Sequence, residues 1–332
     1  MITMKVPVRP PVQRGTAVRA TRAVAALAVG FIGMRIIGAV TSATAVSPQA
    51  PRWRIPRTAA GHPDFQGATW NFATMTPLER AQGVDKDVFT EAEAAAFEKQ
   101  TAERQTATTN NGYDWWDAGT RHLDRRRTSL IVDPPDGHLP TLTAEAQRRV
   151  AIGGRPPGGP ASGPEDFPFN TRCISWANVG PPMLPSPYND NIQFIQTRDY
   201  IVISNENIHD ARIVPMDGHP HGSGRRWLGD SRGRWDGDTL VIDTINFSDQ
   251  VSLRGSDRNL HVTERFTWTD ADTMEYRVTV EDATVWTHPW TALLLMHRTD
   301  QKIYEFACHE GNFLSIKGLL EVARYQDKPQ PR

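Results

Sequence analysis

Between residues 188 and 322 the chain repeats one unit. Five to eight residues rich in Val, Ile, Thr, Phe, Tyr and Trp are followed by a turn of Asp, Gly or Asn. The segments are NIQFIQT, YIVISNE, ARIVPM, TLVIDTINF, HVTERFTW, MEYRVTVED, TALLLMHR and KIYEFACH. Short β-branched and aromatic runs at regular spacing predict an antiparallel β-barrel or sandwich. RDY (198–200), WDGD (235–238) and TDADT (269–273) have the compact composition of hairpin turns. A barrel of about eight strands encloses either packed side chains or one small ligand.

The rest of the chain is different in character. Residues 46–172 are rich in Pro, Gly and Arg, and their apolar periodicity is too sparse for a core of their own. They predict an irregular, partly helical wrap over the β domain of residues 173–332. One helix is announced by Thr90 and Glu93, a capping box ahead of an alanine-rich run to about Arg104. LTAEAQRR (142–149) predicts a second, and the Gly/Pro-rich stretch 153–168 a long loop. Residues 1–22 carry Lys and Arg but no acid, an apolar run follows, and Ala43-Thr44-Ala45 is a small-x-small cleavage pattern. Residues 1–45 are therefore expected to be a signal peptide, and the mature protein periplasmic or secreted, with no stable membrane insertion once the signal is removed. An oxidising compartment lets Cys173 and Cys308 pair; two buried thiols are the other reading.

The segment IVISNENIHDARIV (201–214) begins and ends like a buried strand yet carries Glu206, His209, Asp210 and Arg212. Read as one unbroken strand, it puts Glu206, Asp210 and Arg212 on one face and His209 on the other. The hairpin around TDADT pairs Trp268 with Met274, Phe266 with Tyr276, Glu264 with Val278 and His261 with Glu281. One face is then aromatic and aliphatic with Glu264 inserted. The other carries His261, Thr263, Thr279 and Glu281, which make either a general-base dyad or a plain solvated face. His309 and Glu310 close the KIYEFACH segment at a Gly turn, where a rim site would sit, and Trp286 in TVWTHPW offers an apolar wall.

Net charge is −1 over 332 residues, with 23% charged, which gives no electrostatic reason to expect nucleic acid. No GxGxxG after a strand, GxxxxGK[ST] or GxSxG occurs, so no organic cofactor is expected and α/β-hydrolase chemistry is disfavoured. The HPH pair (His219 and His221) lacks a third ligand at a telling spacing, so no metal is expected, and the Ser of GDSRG (229–233) reads as part of a polar turn.

PRTAAGHPDFQGATWN, ENIHDARIV, GDSRGRWDGDTLVIDTINF, HVTERFTWTDADTMEYRVTVED and ACHEGNF resemble the recurring blocks of a large family of exported, mostly uncharacterised bacterial proteins. The resemblance spans nearly the whole mature chain but implies no established activity. The barrel is also similar in outline to lipocalins, which bears on fold and not on function. The leading expectation is a cofactor-independent lyase, isomerase or hydrolase acting on a small organic molecule, with aromatic and sugar-derived compounds among the candidates. In it His209 or His309 is the base, Glu206 or Asp210 orients it or serves as acid, and Tyr276 donates to developing negative charge. Arg212, Glu264, Trp286 and Glu310 bind substrate. The alternative is a non-catalytic barrel that binds a small ligand.

Overall fold

Period-two alternation builds the molecule around one antiparallel sheet. The computed structural model describes residues 53–109, 121–153, 163, 167, 169–249 and 253–326. The expected signal peptide lies outside the described residues, as does most of the 153–168 loop. Ten strands join: β1 (Thr69–Asn71), β2 (Ile131–Asp133), β3 (Asn191–Gln196), β4 (Tyr200–Asn205), β5 (Ala211–Pro215), β6 (Asp230–Asp236), β7 (Thr239–Ile245), β8 (His261–Trp268), β9 (Thr273–Glu281) and β10 (Trp290–Thr299). Their order is β5-β4-β3-β1-β10-β9-β8-β7-β6, with β2 also pairing β10. No helix among the described residues is long and apolar enough to cross a membrane.

The sheet is not closed by hydrogen bonds, but it coils until its inner face meets itself. Phe194 on β3 stands edge-on to Phe266 on β8 with centroids 5.4 Å apart. The two ends of the path also approach. A Cβ at Gly233 of β6 would lie 2.9 Å from Val214 Cγ1 of β5 and would run into the Met216 side chain, so any other residue there would force those side chains to shift. Phe65, Trp70, Phe266, Tyr276, Trp286 and Trp290 are among the fully buried side chains of the single large core cluster. Each large side chain so buried is worth about 1.5–3 kcal/mol against exposure.

The hairpin β8–β9 has the expected register, from Trp268 opposite Met274 to His261 opposite Glu281. Elsewhere the structure corrects the expectations. IVISNENIHDARIV is two strands, because a 3₁₀ turn at Asn207–His209 breaks it, with Ile208 and His209 at positive φ. The break shifts the phase: odd residues of β4 and even residues of β5 face inward. GDSRG is no isolated turn but enters β6, whose polar, Gly-containing sequence lacks strand composition. KIYEFACH is not a strand: residues 301–307 are irregular, and helix α3 (Cys308–Gln326) starts where the apolar run ends.

The N-terminal segment also contributes strands that the sequence does not announce, since β1 and β2 are only three residues each. Helix α1 (Glu91–Thr109) is capped as expected: Thr90 N–H donates to Glu93 Oε2 at 2.8 Å, and Glu93 N–H returns to Thr90 Oγ1 at 3.3 Å. Helix α2 (Ala144–Gly153) starts from Thr143, whose Oγ1 accepts from Ala146 N at 3.1 Å. Cys173 and Cys308 form a disulfide that closes a 135-residue separation and ties α3 to the body. In the chain-entropy model a loop that long is worth several kcal/mol.

Candidate active site

Strand β10 runs WTALLLM and is buried on both faces. A continuous apolar run is the signature of such a strand. Its even side chains join the core, the odd ones from Thr291 to Leu295 are buried on the other face, and residues 121–133 run along its edge, with Leu293 N–H donating to Leu130 O at 2.9 Å. The cover is pinned from several sides. Leu123 N–H donates to Glu98 Oε1 of α1 at 2.8 Å, Asp124 N–H to Thr76 Oγ1 at 2.8 Å, and Phe89 N–H to Arg126 O at 2.9 Å. So held, the chain makes a 3₁₀ turn at Asp124–Arg126 with both Arg125 and Arg126 at positive φ. Two adjacent non-glycine residues in that region store about 1–3 kcal/mol each, and such strain concentrates where geometry serves function.

The turn delivers Asp124 to the edge of β10, between the stretches paired with β2 and with β1. Its Oδ2 accepts the Leu295 N–H at 3.1 Å, and its residue is 6% exposed. Burial pushes this carboxyl above the ordinary carboxylate range. The Leu295 N–H, the Thr74 hydroxyl, and the charges of His297 and Arg127 pull the other way without cancelling it. His297 follows Leu295 by two residues and pairs across the ladder with Asn71 of β1, near enough for its charge to act on the Asp124 carboxyl. Above them opens a cavity of about 520 Å³ lined by Arg121, His122, Asp124, Arg125, His297 and Gln301 among others. Arg121 is itself buried, 3.2 Å from Asp190 and donating to Ser186 O. Burial raises Asp190 to about 6, with Arg121 pulling it back down. The cavity thus combines a carboxyl whose pKa burial raises, two exposed imidazoles and two guanidinium groups. That set can give a proton, take a proton and balance a growing negative charge.

The residues expected from sequence are distributed otherwise. Arg212, Glu264 and Tyr276 do meet, but inside the coiled sheet and sealed from solvent. Both guanidinium amines of Arg212 bind Glu264, one at 2.9 Å to Oε1. Tyr276 donates to the same Oε1 at 2.8 Å and accepts the Met183 N–H at 3.0 Å. Burial, then Glu264, puts the Tyr276 phenol well above its usual range. Burial opposes the Arg212 charge, and Glu264 outweighs it, so the guanidinium stays charged. Glu206 is buried apart from them, accepting from Asn191 Nδ2 at 2.7 Å and from Tyr304 N at 3.3 Å. The 3₁₀ turn leaves His209 exposed and Asp210 half-buried, with the Asp210 carboxyl raised by burial. His309 and Glu310 are exposed on the first turn of α3 instead of ending a strand. Trp286 is core, edge-on to Trp290 at 5.9 Å.

The hairpin's outer face holds a second polar cluster. His261 lies 2.8 Å from Glu281 and 2.5 Å from Asp243, whose other oxygen is 2.8 Å from His221. The hydrogen bond to Asp243 leads in raising the His261 pKa, and the reverse effect lowers Asp243. The HPH pair is split, for His219 is exposed and turns to Asp217 at 2.8 Å. Among the described residues no group of three or more His, Cys, Asp or Glu is arranged to hold a metal ion.

Sequence reasoning missed Asp124 and His297 altogether. The run HLDRRRTSLIV (122–132) holds one acid before three arginines and an apolar strand, but no spacing links it to a histidine at the far end of the chain. No family model and no curated protein matches this chain.

Proposed function

We propose that the protein is an enzyme that performs acid–base chemistry on a small oxygen-rich molecule, such as a hydroxy or oxo acid or a sugar derivative, in the Asp124–His297 cavity. His297 takes a proton from a carbon or hydroxyl of the substrate. Asp124, biased toward its neutral form by burial, supplies a proton to the oxygen that gains electrons or leaves. Arg125 and Arg121 offset the negative charge that develops between the two transfers. The observation that carries the reading is a buried carboxyl of raised pKa that lines one open cavity together with an imidazole whose charge acts on it. The sheet reads as a lipocalin-like barrel that serves as scaffold, and the disulfide supports action in a periplasmic or extracellular setting.

A ligand carried inside the barrel draws less support. The interior charges are spent on one another, and their neighbours are close-packed aromatic and aliphatic side chains. The test is to incubate the protein in D₂O with a panel of small hydroxy and oxo acids and sugars and follow proton exchange or elimination by NMR. A turned-over compound should lose about 10²-fold or more in rate with Asp124→Asn and with His297→Gln. Turnover that survives both substitutions would refute the assignment.

A further inference from the structure

A different cavity opens near the 180–183 segment. It measures about 630 Å³, within the range of sites for small organic ligands. Gly180, Pro181 and Pro182 line it, while the next residue, Met183, is fully buried and donates its N–H to Tyr276. That segment separates the cleft from the sealed interior network. Four aromatic side chains line the cleft: Phe169, Trp176, Trp227 and Phe247. Phe169 and Trp227 meet edge to face at 5.5 Å and 70°.

The polar lining is sparse and of one sign. Arg254 is the charged side chain among the described lining residues, and no Asp, Glu or His accompanies it. Among the described residues its ion-pair partner is Glu79, at 3.8 Å and outside the cleft, and the Arg254 side chain is 48% exposed. Arg254 also borders an adjoining cavity of about 480 Å³ that shares Ala177, Leu184 and Pro187 with this one and likewise has no acid in its lining. Aromatic walls favour a planar apolar body, and a half-exposed guanidinium whose partner among the described residues is as distant as 3.8 Å favours a carboxylate. We infer that this cleft is a binding site for a small aromatic carboxylate, separate from the Asp124–His297 cavity, with the ring against Trp227 and Trp176 and the carboxylate on Arg254.

Titration calorimetry on the full mature protein tests this with 4-hydroxybenzoate as probe and benzyl alcohol and cyclohexanecarboxylate as controls. The aromatic acid should bind saturably and about tenfold or more tighter than either control, the scale of one charge-assisted contact. Arg254→Gln should abolish its preference over benzyl alcohol, and Trp227→Ala should weaken both aromatic compounds. Both side chains are partly exposed, so the variants should keep the wild-type melting temperature. Asp124→Asn should leave binding unchanged, which separates this site from the proposed catalytic one. No saturable binding, or the same affinity in both cleft variants, would overturn the assignment.

Discussion

Two buried carboxylates in this molecule are treated in opposite ways. Glu264 sits inside the coiled sheet, where Arg212 and Tyr276 occupy both its oxygens and nothing opens to solvent. Asp124 sits at the edge of β10, held by a backbone N–H and a threonine hydroxyl, in the lining of a cavity. Burial costs are similar in kind, yet one acid is matched by a full charge and the other is left short of partners. The first arrangement fixes a structure. The second raises the pKa of the carboxyl, which is what the proposed acid role asks of it.

The largest expected effect belongs to the interior. Glu264→Gln leaves the Arg212 guanidinium buried without a counter-charge, which costs about 3–5 kcal/mol. Thermal denaturation should register a fall on the order of 10 °C in melting temperature. A fall of a degree or two would mean that the interior tolerates unpaired charge and that the contrast is unfounded.

Asp124→Asn should behave in the reverse manner. A carboxyl whose folded pKa is raised contributes stability that is full at low pH and lost as pH rises through the folded value. The neutral amide retains that low-pH condition at pH 7, so melting temperature should hold or rise while turnover falls by about 10²-fold. Asparagine that unfolds the protein at pH 7 would make Asp124 a structural anchor.

The contrast also explains what was legible in the sequence. Period-two alternation revealed most strands and the whole register of β8–β9, because each of those residues reports its own burial. It failed where geometry comes from outside the segment. Nothing in ENIHDAR announces the positive φ of Ile208 and His209 that splits the strand, and β6 is read as a turn because its polar residues bond across to neighbours. That Glu264 and Tyr276 share a face was legible because both lie on one hairpin, whereas their bonding to each other and to Arg212 was not. Asp124 and His297 were not, since β10 and its cover segment meet only through long-range pairing.

The smallest effect concerns the exposed cluster, which sharpens the comparison by showing what solvent does to similar groups. His261 has a raised pKa, so its contribution is present below the ordinary histidine value and fades as pH climbs through the folded one. Asp243 has a lowered pKa, so its contribution is present above the ordinary aspartate value and is lost as pH falls through the folded one. Together they stabilise most between about pH 4 and 6.5. The melting-temperature difference between wild type and His261→Gln should be greatest in that window and shrink above it. The side chains are partly exposed, so screening holds the difference to a few degrees or less. A difference that grows toward pH 8 would contradict the assignment of charge.

The central claim is that Asp124 is a carboxyl raised by burial and electrostatically coupled to His297. An NMR titration of the Asp124 carboxyl carbon, in wild type and in His297→Gln, reads both properties without knowledge of the substrate. The midpoint should lie above the ordinary aspartate value of about 3.9 in the wild type. It should move higher when the imidazole charge is removed. A midpoint at or below the ordinary value, unmoved by the histidine substitution, would contradict the account.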